Sequence, residues 1–118
     1  MRTIIAGSRN VSHAVGMGLV REAISASGWS GEISEIIHGA ARGIDSAAGE
    51  ALAGVWPITS VPAEWGVYGN SAGPIRNRKM AGMADALIAI WDGKSRGTKN
   101  MIDVAKSSGL KVFVFRIS

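Results

Sequence analysis

The sequence predicts an α/β domain built on a five-stranded parallel sheet in the order 3-2-1-4-5, with helices on both faces. Five short apolar runs, rich in Ile, Val and Leu, are mostly continuous rather than alternating, which is typical of strands covered on both faces. Helical patterns separate these runs in regular alternation, which favours right-handed crossovers within one sheet. The 118 residues suffice for one hydrophobic core, so we expect residues 1–118 to form a single domain.

The predicted elements alternate along the whole chain. The helix after the first strand has apolar residues four apart at Val15, Leu19 and Ala23, and Gly28 suits its end. The next helix has Asp45 or Ser46 as its candidate N-cap. The predicted strands are 3–6, 33–38, 58–62, 86–91 and 111–116, and the predicted helices lie between them near 14–28, 43–54, 73–84 and 97–109.

The composition of the chain excludes several classes of function. The chain carries a formal charge of +4 and has no cysteine, which excludes disulfides, thiol catalysis and cysteine zinc sites. Two histidines are too few for a convincing metal site, so we expect neither a metal nor another cofactor. No apolar stretch reaches the roughly 18 residues of a membrane span, and the first is too short for a signal peptide. We therefore expect a cytoplasmic protein with no membrane partner.

Basic residues are concentrated in one part of the chain. Six of the thirteen lysines and arginines lie between Arg76 and Lys99, where only Asp85 and Asp92 oppose them. This distribution favours an anionic partner, either a nucleotide phosphate or a nucleic acid. A solvated basic face that serves solubility is the alternative interpretation.

Three predicted strands end in loops that combine glycine with hydroxyl groups or cations. Ligands of open parallel sheets bind outside the carboxyl ends of the strands, and the N–H groups of a following helix favour an anion. The alternative is that the glycines only make tight turns, with Asp45 as a cap and Asp92 as a turn former. The candidate ligand-binding residues are Gly7, Ser8 and Arg9 after the first strand, Gly39, Arg42, Gly43 and Asp45 after the second, and Trp91, Gly93, Lys94, Ser95, Gly97 and Thr98 at the fourth.

The loop between Pro62 and Pro74 is long for a strand-to-helix connection. It holds Trp65, which could stack on a base, although aromatic residues in loops more often only hold the loop in place. It also holds Glu64, a carboxylate available for chemistry. His38, at the end of the second strand, is interpreted as a core residue rather than a ligand.

Two common nucleotide-binding motifs are absent from the sequence. No G-x-G-x-x-G follows the first strand, so the chain lacks the ordinary dinucleotide-binding fingerprint. Gly93-Lys94-Ser95 has the order of a G-x-x-x-x-G-K-[ST] loop, but Ile88 stands where the first glycine is needed.

Four segments together resemble a known family. MRTIIAGSR, HGAARGID, AGPIRN and ADALIAIWDGKSRGT are similar to the YspA-like branch of the SLOG superfamily, over nearly the whole chain. That superfamily includes the Lonely Guy phosphoribohydrolases and the DNA-processing DprA family, and members like this one are common in bacteria and their phages. The resemblance implies a Rossmann-like sheet, a nucleotide or nucleotide-derived ligand and a homo-oligomer. A phage-encoded chain would act in the host cytoplasm.

The Lonely Guy pattern R-K-x-x-M, A-D-A and G-T-x-x-E can be followed along the chain. Arg76 and Met80 match it, as do Ala84-Asp85-Ala86, and Asn77 stands where lysine is usual. Gly97-Thr98 matches the glycine–threonine pair, behind a loop that is two residues longer. The resemblance implies that Arg76, Asn77 and Gly97-Thr98 serve binding.

The pattern fails at its glutamate. Three residues after Thr98 the chain has Met101. In the enzymes this carboxylate works with the arginine to cleave an N-glycosidic bond through an oxocarbenium-like state. Candidate catalytic residues are then Arg76 itself and a substitute carboxylate, Glu64 or Asp92.

The leading hypothesis is a protein that binds a nucleoside phosphate or an ADP-ribose-like molecule, as a sensor, a sequestering protein or a weak processing enzyme. The alternatives are an N-glycosidic phosphoribohydrolase of the Lonely Guy type, a DprA-like nucleic-acid-binding module and an interaction subunit without a ligand. A closed pocket favours the nucleotide, whereas nucleic acid needs a continuous basic track.

Overall fold

The computed structural model describes residues 1–117. Its five strands form one parallel sheet in the order β3-β2-β1-β4-β5. This is the order that the sequence predicts, and the prediction is confirmed. The strands are β1 (Arg2–Gly7), β2 (Glu35–His38), β3 (Ile58–Ser60), β4 (Ala86–Trp91) and β5 (Lys111–Arg116).

The helices follow the predicted pattern with two differences. The predicted N-cap of α2 is wrong, because Gly43 occupies that position and Asp45 lies buried inside the first turn. The long loop also contains a short helix, α3, which its sequence does not predict. The helices are α1 (His13–Ser27), α2 (Ile44–Ala51), α3 (Trp65–Tyr68), α4 (Ala72–Ala81) and α5 (Arg96–Ser107), with a 3₁₀ turn at Gly69–Ser71.

The sheet packs between two hydrophobic layers, one on each of its faces. Ile5 of β1 packs with residues of α1 and α2 on one face, and Ile4 packs with residues of α4 and α5 on the other. Both isoleucines are completely buried, and burying such a side chain typically contributes about 1.5–3 kcal/mol. Because β1 and β4 are covered on both faces, their sequences are continuous apolar runs.

The chain leaves β1 and β4 toward opposite faces of the sheet. The two strands are neighbours, with Gly7 beside Ile90, and they lead to α1 and α5, which pack on different layers. Their loops therefore diverge and open a crevice, the switch point at which such sheets bind ligands.

Glycine is required where these loops approach one another. An added Cβ at Gly7 would lie 2.6 Å from the carbonyl oxygen of Ile90. Gly43 has a φ of 74°, and a Cβ there would overlap the carbonyl oxygen of Ser8. The same carbonyl accepts a hydrogen bond from the N–H of Ile44 at 3.1 Å. The β1 and β2 loops are thus joined by backbone contact.

Within residues 1–117, no helix combines the length and the apolar character that crossing a membrane requires.

Candidate functional site at the carboxyl edge of the sheet

A cavity of about 600 Å³ opens at the carboxyl ends of β1 and β4. Residues from the β1, β2 and β4 loops, α3, α4 and α5 line it. It brings together most of the residues that the sequence singled out. Those are Gly7, Ser8, Arg9, Arg42, Asp45, Trp65, Arg76, Asn77, Asp92, Lys94, Ser95, Gly97 and Thr98.

Five other candidates do not line this cavity. Gly39 lies behind Arg76 and lines a smaller neighbouring cavity. Gly43 and Gly93 have positive φ values and shape their loops. Trp91 donates from Nε1 to the carbonyl oxygen of Ser95 at 3.1 Å, which holds the β4 loop. Glu64 is exposed just before α3.

One side of the cavity, here called the buried wall, consists of Asp45, Arg76 and Asn77. Asp45 is only 5% exposed. Its Oδ2 accepts hydrogen bonds from the N–H groups of Gly39 at 3.0 Å and Ala41 at 3.4 Å. Burial raises the pKa of Asp45 to about 6, even though Arg76 and these N–H groups favour the ionised form. A carboxyl group that titrates near neutral pH therefore lines the cavity.

Arg76 is fixed from two directions. Its Nη1 donates to the carbonyl oxygen of Gly39 at 2.5 Å, and its Nε donates to Asn77 Oδ1 at 2.8 Å. A guanidinium has more N–H donors than these two bonds use, so Arg76 can still donate to a ligand. Burial lowers the pKa of Arg76, and an arginine remains charged nonetheless. A Cβ at Gly39 would overlap Arg76 and lie 2.8 Å from Asp45 Oδ2, which explains the glycine after His38.

Asn77 connects α4 to α5. It is 4% exposed, and its Nδ2 donates to Asn100 Oδ1 at 2.9 Å and to the carbonyl oxygen of Gly97 at 3.3 Å. Asn77 thus orients Arg76 and the first turn of α5. The sequence analysis missed Asn100, which lines the cavity. No local pattern marks it, because its partner Asn77 lies 23 residues away in the chain.

The opposite side, here called the exposed wall, runs from Asp92 to Thr98. Asp92 Oδ1 accepts hydrogen bonds from the N–H groups of Ser95 and Lys94, both at 2.8 Å, and these bonds lower the pKa of Asp92. Its Oδ2 accepts from Ser8 Oγ at 3.4 Å. Asp92 therefore forms the turn and joins the β1 and β4 loops, so both of its oxygens are engaged.

The N-terminus of α5 presents backbone donors to the cavity. The first helical hydrogen bond runs from the N–H of Lys99 to the carbonyl of Ser95 at 3.1 Å. The N–H groups of residues 96–98 precede it, and none has a partner in the described part of the chain. Buried Thr98 pairs its hydroxyl with that of Ser95 at 3.1 Å. Such a helix start favours an anion.

Charges around the cavity are mostly positive. Arg9, Arg42, Arg76, Lys94 and Arg96 line it, against the carboxylates of Asp45 and Asp92. The sequence analysis had not included Arg96 among the site residues. The guanidinium of Arg9 lies 5.6 Å from the centre of the Trp65 ring, a cation–π distance that orients both groups. Trp65 remains 48% exposed.

The structure also places two residues at the edge of the sequence argument, His38 and Met101. His38 is buried, its Nδ1 accepts from the N–H of Ala40 at 3.0 Å, and burial lowers its pKa. These features fit the interpretation of His38 as a core residue. Met101 is 1% exposed and contributes an apolar surface to the cavity.

Among residues 1–117, no group of three or more acidic or histidine side chains could hold a metal ion.

Comparisons with known proteins identify the fold. No protein-family model matches the chain, and no curated protein matches it. The X-ray structure of DNA processing protein A (DprA) from Streptococcus pneumoniae is similar in fold, with a TM-score of 0.73 and 24% sequence identity. The alignment covers 96% of this chain and 49% of that chain, so this chain spans about half of that protein's length. The likeness agrees with the predicted Rossmann-like α/β fold, while the YspA-like branch and the phage origin stay predictions.

Proposed function

We propose that this chain binds a nucleotide or a nucleotide-derived ligand at the carboxyl edge of its sheet, as a sensor or a sequestering protein. The observation that carries the proposal is the cavity of about 600 Å³ between the ends of β1 and β4. Small-molecule pockets typically measure roughly 300–1,000 Å³. A concave site of this volume suits a ligand of nucleotide size better than a long polymer.

The two walls support a phosphate between them. The free N–H groups at the start of α5 come from one side and the guanidinium of Arg76 from the other. A hydrogen bond to a charged group typically contributes about 1.5–3 kcal/mol. The exposed ring of Trp65 and the apolar side chains of Met80 and Met101 offer surface for a base or a sugar.

The side chains that line the cavity favour binding of the ligand over its cleavage. Cleavage of an N-glycosidic bond needs a carboxylate near the sugar. Met101 supplies none, both oxygens of Asp92 are engaged, and Glu64 lies outside the cavity. Asp45 is the carboxyl group that remains. The phosphoribohydrolase therefore stays an alternative.

A nucleic-acid ligand is the second candidate. It is favoured by the likeness in fold to a protein named for DNA processing and by the sequence pI of about 10.0. The two candidates differ in their dependence on salt. A polymer that displaces many counterions loses affinity steeply between low and physiological salt, whereas a ligand with one or two phosphates loses little.

Calorimetric titration of AMP and ADP-ribose into the wild type, Arg76→Ala and Arg78→Ala tests the proposal. Arg78 lies on the same helix but is exposed, so its variant is the matched control. We expect Arg76→Ala to weaken binding by roughly ten- to a hundredfold and Arg78→Ala to leave it unchanged. Thermal denaturation of each variant checks that the fold is intact.

Equal affinities of the wild type and Arg76→Ala would remove Arg76 from the site. A single-stranded DNA 20-mer supplies the second arm of the experiment, read by fluorescence anisotropy at several salt concentrations. Tight and strongly salt-dependent binding of this DNA, with no binding of AMP or ADP-ribose, would replace the proposed function by the second candidate.

A further inference from the structure

A second cavity of about 300 Å³ adjoins the first. It lies beyond the carboxyl ends of β2 and β3. Residues that line it alone come from the two loops there, Gly39 and Ala40 after β2 and Pro62 and Ala63 after β3. Nothing in the proposed nucleotide site uses this space.

The two cavities share one boundary. Arg9, Ala41, Arg42, Trp65 and Arg76 line both of them. The three arginines come from three different segments, the β1 loop, the β2 loop and α4. Three basic side chains on the boundary between two cavities make it a favourable place for an anion.

Two of these arginines, Arg9 and Arg76, are held in place by groups on the protein. Arg9 lies against the ring of Trp65, and Arg76 is bonded to the carbonyl of Gly39 and to Asn77. No carboxylate is among the described residues that line the second cavity, whereas Asp45 and Asp92 line the first. Asp45 is close enough to Arg9 and Arg76 to offset part of their charge, and Arg42 leaves the boundary positive overall.

The second cavity itself is suited to an uncharged organic group. Pro62, Ala63 and the ring of Trp65 provide apolar surface. The N–H groups of Gly39–Ala41 and the carbonyls of Gly39 and Ala41 are already hydrogen-bonded within the protein, so this backbone offers little polar surface. Ala40 has a φ of 57°, an unfavourable value for a residue other than glycine, and its N–H is bonded to His38. Strained backbone of this kind is concentrated at functional sites.

We infer that the ligand is a nucleotide with two phosphates. The first lies between the start of α5 and Arg76, and the second, at the three shared arginines, carries a further organic group that occupies the cavity beyond β2 and β3. This inference rests on the proposed function, and it adds the class of ligand: a phosphodiester or a diphosphate diester rather than a simple mononucleotide. A sugar on a diphosphate and the next nucleotide of a chain share this chemistry.

Calorimetry with four probes separates these ligands: AMP, ADP, ADP-ribose and the dinucleotide pApA. ADP has more negative charge than ADP-ribose but lacks the second group, so it controls for charge. We expect ADP-ribose or pApA to bind about tenfold or more tightly than ADP, because an additional stacked or buried group typically contributes that much. The probe with the larger gain identifies the second group as a sugar or a nucleotide.

The variant Ala63→Trp fills the second cavity without touching the first. It should abolish the additional affinity of the extended probes and leave the affinity for AMP unchanged within about twofold. Ala53→Trp, in an exposed turn after α2, is the matched control and should behave as the wild type does.

Two results would overturn the inference, and they are distinguishable. If AMP binds but neither extended probe binds more tightly than ADP, or if Ala63→Trp keeps the gain, the second group lies elsewhere and the proposed function survives. If none of the four probes binds, the proposed function fails and the inference fails with it.

Discussion

The two walls of the cavity hold their charges in opposite ways. On the buried wall, Asp45 is buried and Arg76 half-buried, and both are bonded to backbone groups of the β2 loop. On the exposed wall, Lys94 and Arg96 lie in solvent, and Asp92 orders the backbone. Charges in a low dielectric interact strongly, whereas exposed pairs contribute about 0–1 kcal/mol and are screened by salt. Among the charged side chains, affinity should therefore depend on Arg76, and long-range attraction on Lys94 and Arg96.

The largest expected effect is on catalysis. It tests whether the buried wall only binds the ligand or also cleaves it. A general acid or base typically contributes about 10²–10⁴-fold, and Met101 replaces the glutamate that supplies it in the Lonely Guy pattern. We therefore expect very slow release of base from AMP, GMP and CMP, measured by chromatography of the free bases.

Two variants make that assay decisive. Glu64→Gln should not change base release, because Glu64 lies outside the cavity. Rapid release by the wild type that disappears in Asp45→Asn would make the buried wall catalytic. Rapid release that disappears in Glu64→Gln would place the chemistry at the start of α3.

The next effect is on stability and tests the burial of Asp45. Its pKa is about 6 in the folded protein and about 3.9 in an unfolded chain, so the folded state keeps the proton to higher pH. The contribution of Asp45 to stability is complete below about pH 4 and is lost as pH rises through 6. Relative to Asp45→Asn, the free energy of unfolding of the wild type should fall by on the order of 2–3 kcal/mol across this range.

Urea denaturation at several pH values between 4 and 7.5 measures this difference. Asp103→Asn is the control, because Asp103 is exposed on α5, where it pairs with Lys99. Parallel pH profiles for the wild type and Asp45→Asn would show that folding leaves the pKa of Asp45 near its unfolded value, and the contrast between the walls would weaken.

The smallest effect concerns the exposed wall. Lys94→Ala and Arg96→Ala should each weaken binding of AMP by no more than about fivefold at low salt, and the difference should vanish near 0.5 M salt. Lys106→Ala, in the last turn of α5, is the control for a general change in net charge. A loss above about tenfold that persists at high salt would mean that the side chain of Lys94 or Arg96 binds the phosphate directly and strongly.

The candidate site was only partly predictable. The loops after β1, β2 and β4 could be identified because glycine, hydroxyl and basic residues follow apolar runs in each of them. The short helix α3 could not, since four residues do not form a helix without tertiary contacts. Nor could the partnership of Asn77 with Asn100, which are 23 residues apart and meet only because α4 and α5 pack side by side.

The sequence by itself determined the order and direction of the strands and the edge of the sheet at which the candidate site lies. Continuous apolar runs that alternate with helices have few topological solutions. Tertiary structure decided which charges at that edge lie out of water. Asp45 is buried because Gly39, Ala41 and Arg76 surround it from the β2 loop and α4. The burial of a carboxyl group, and therefore its pKa, depends on neighbours that are distant in the chain. No local sequence pattern can therefore predict it.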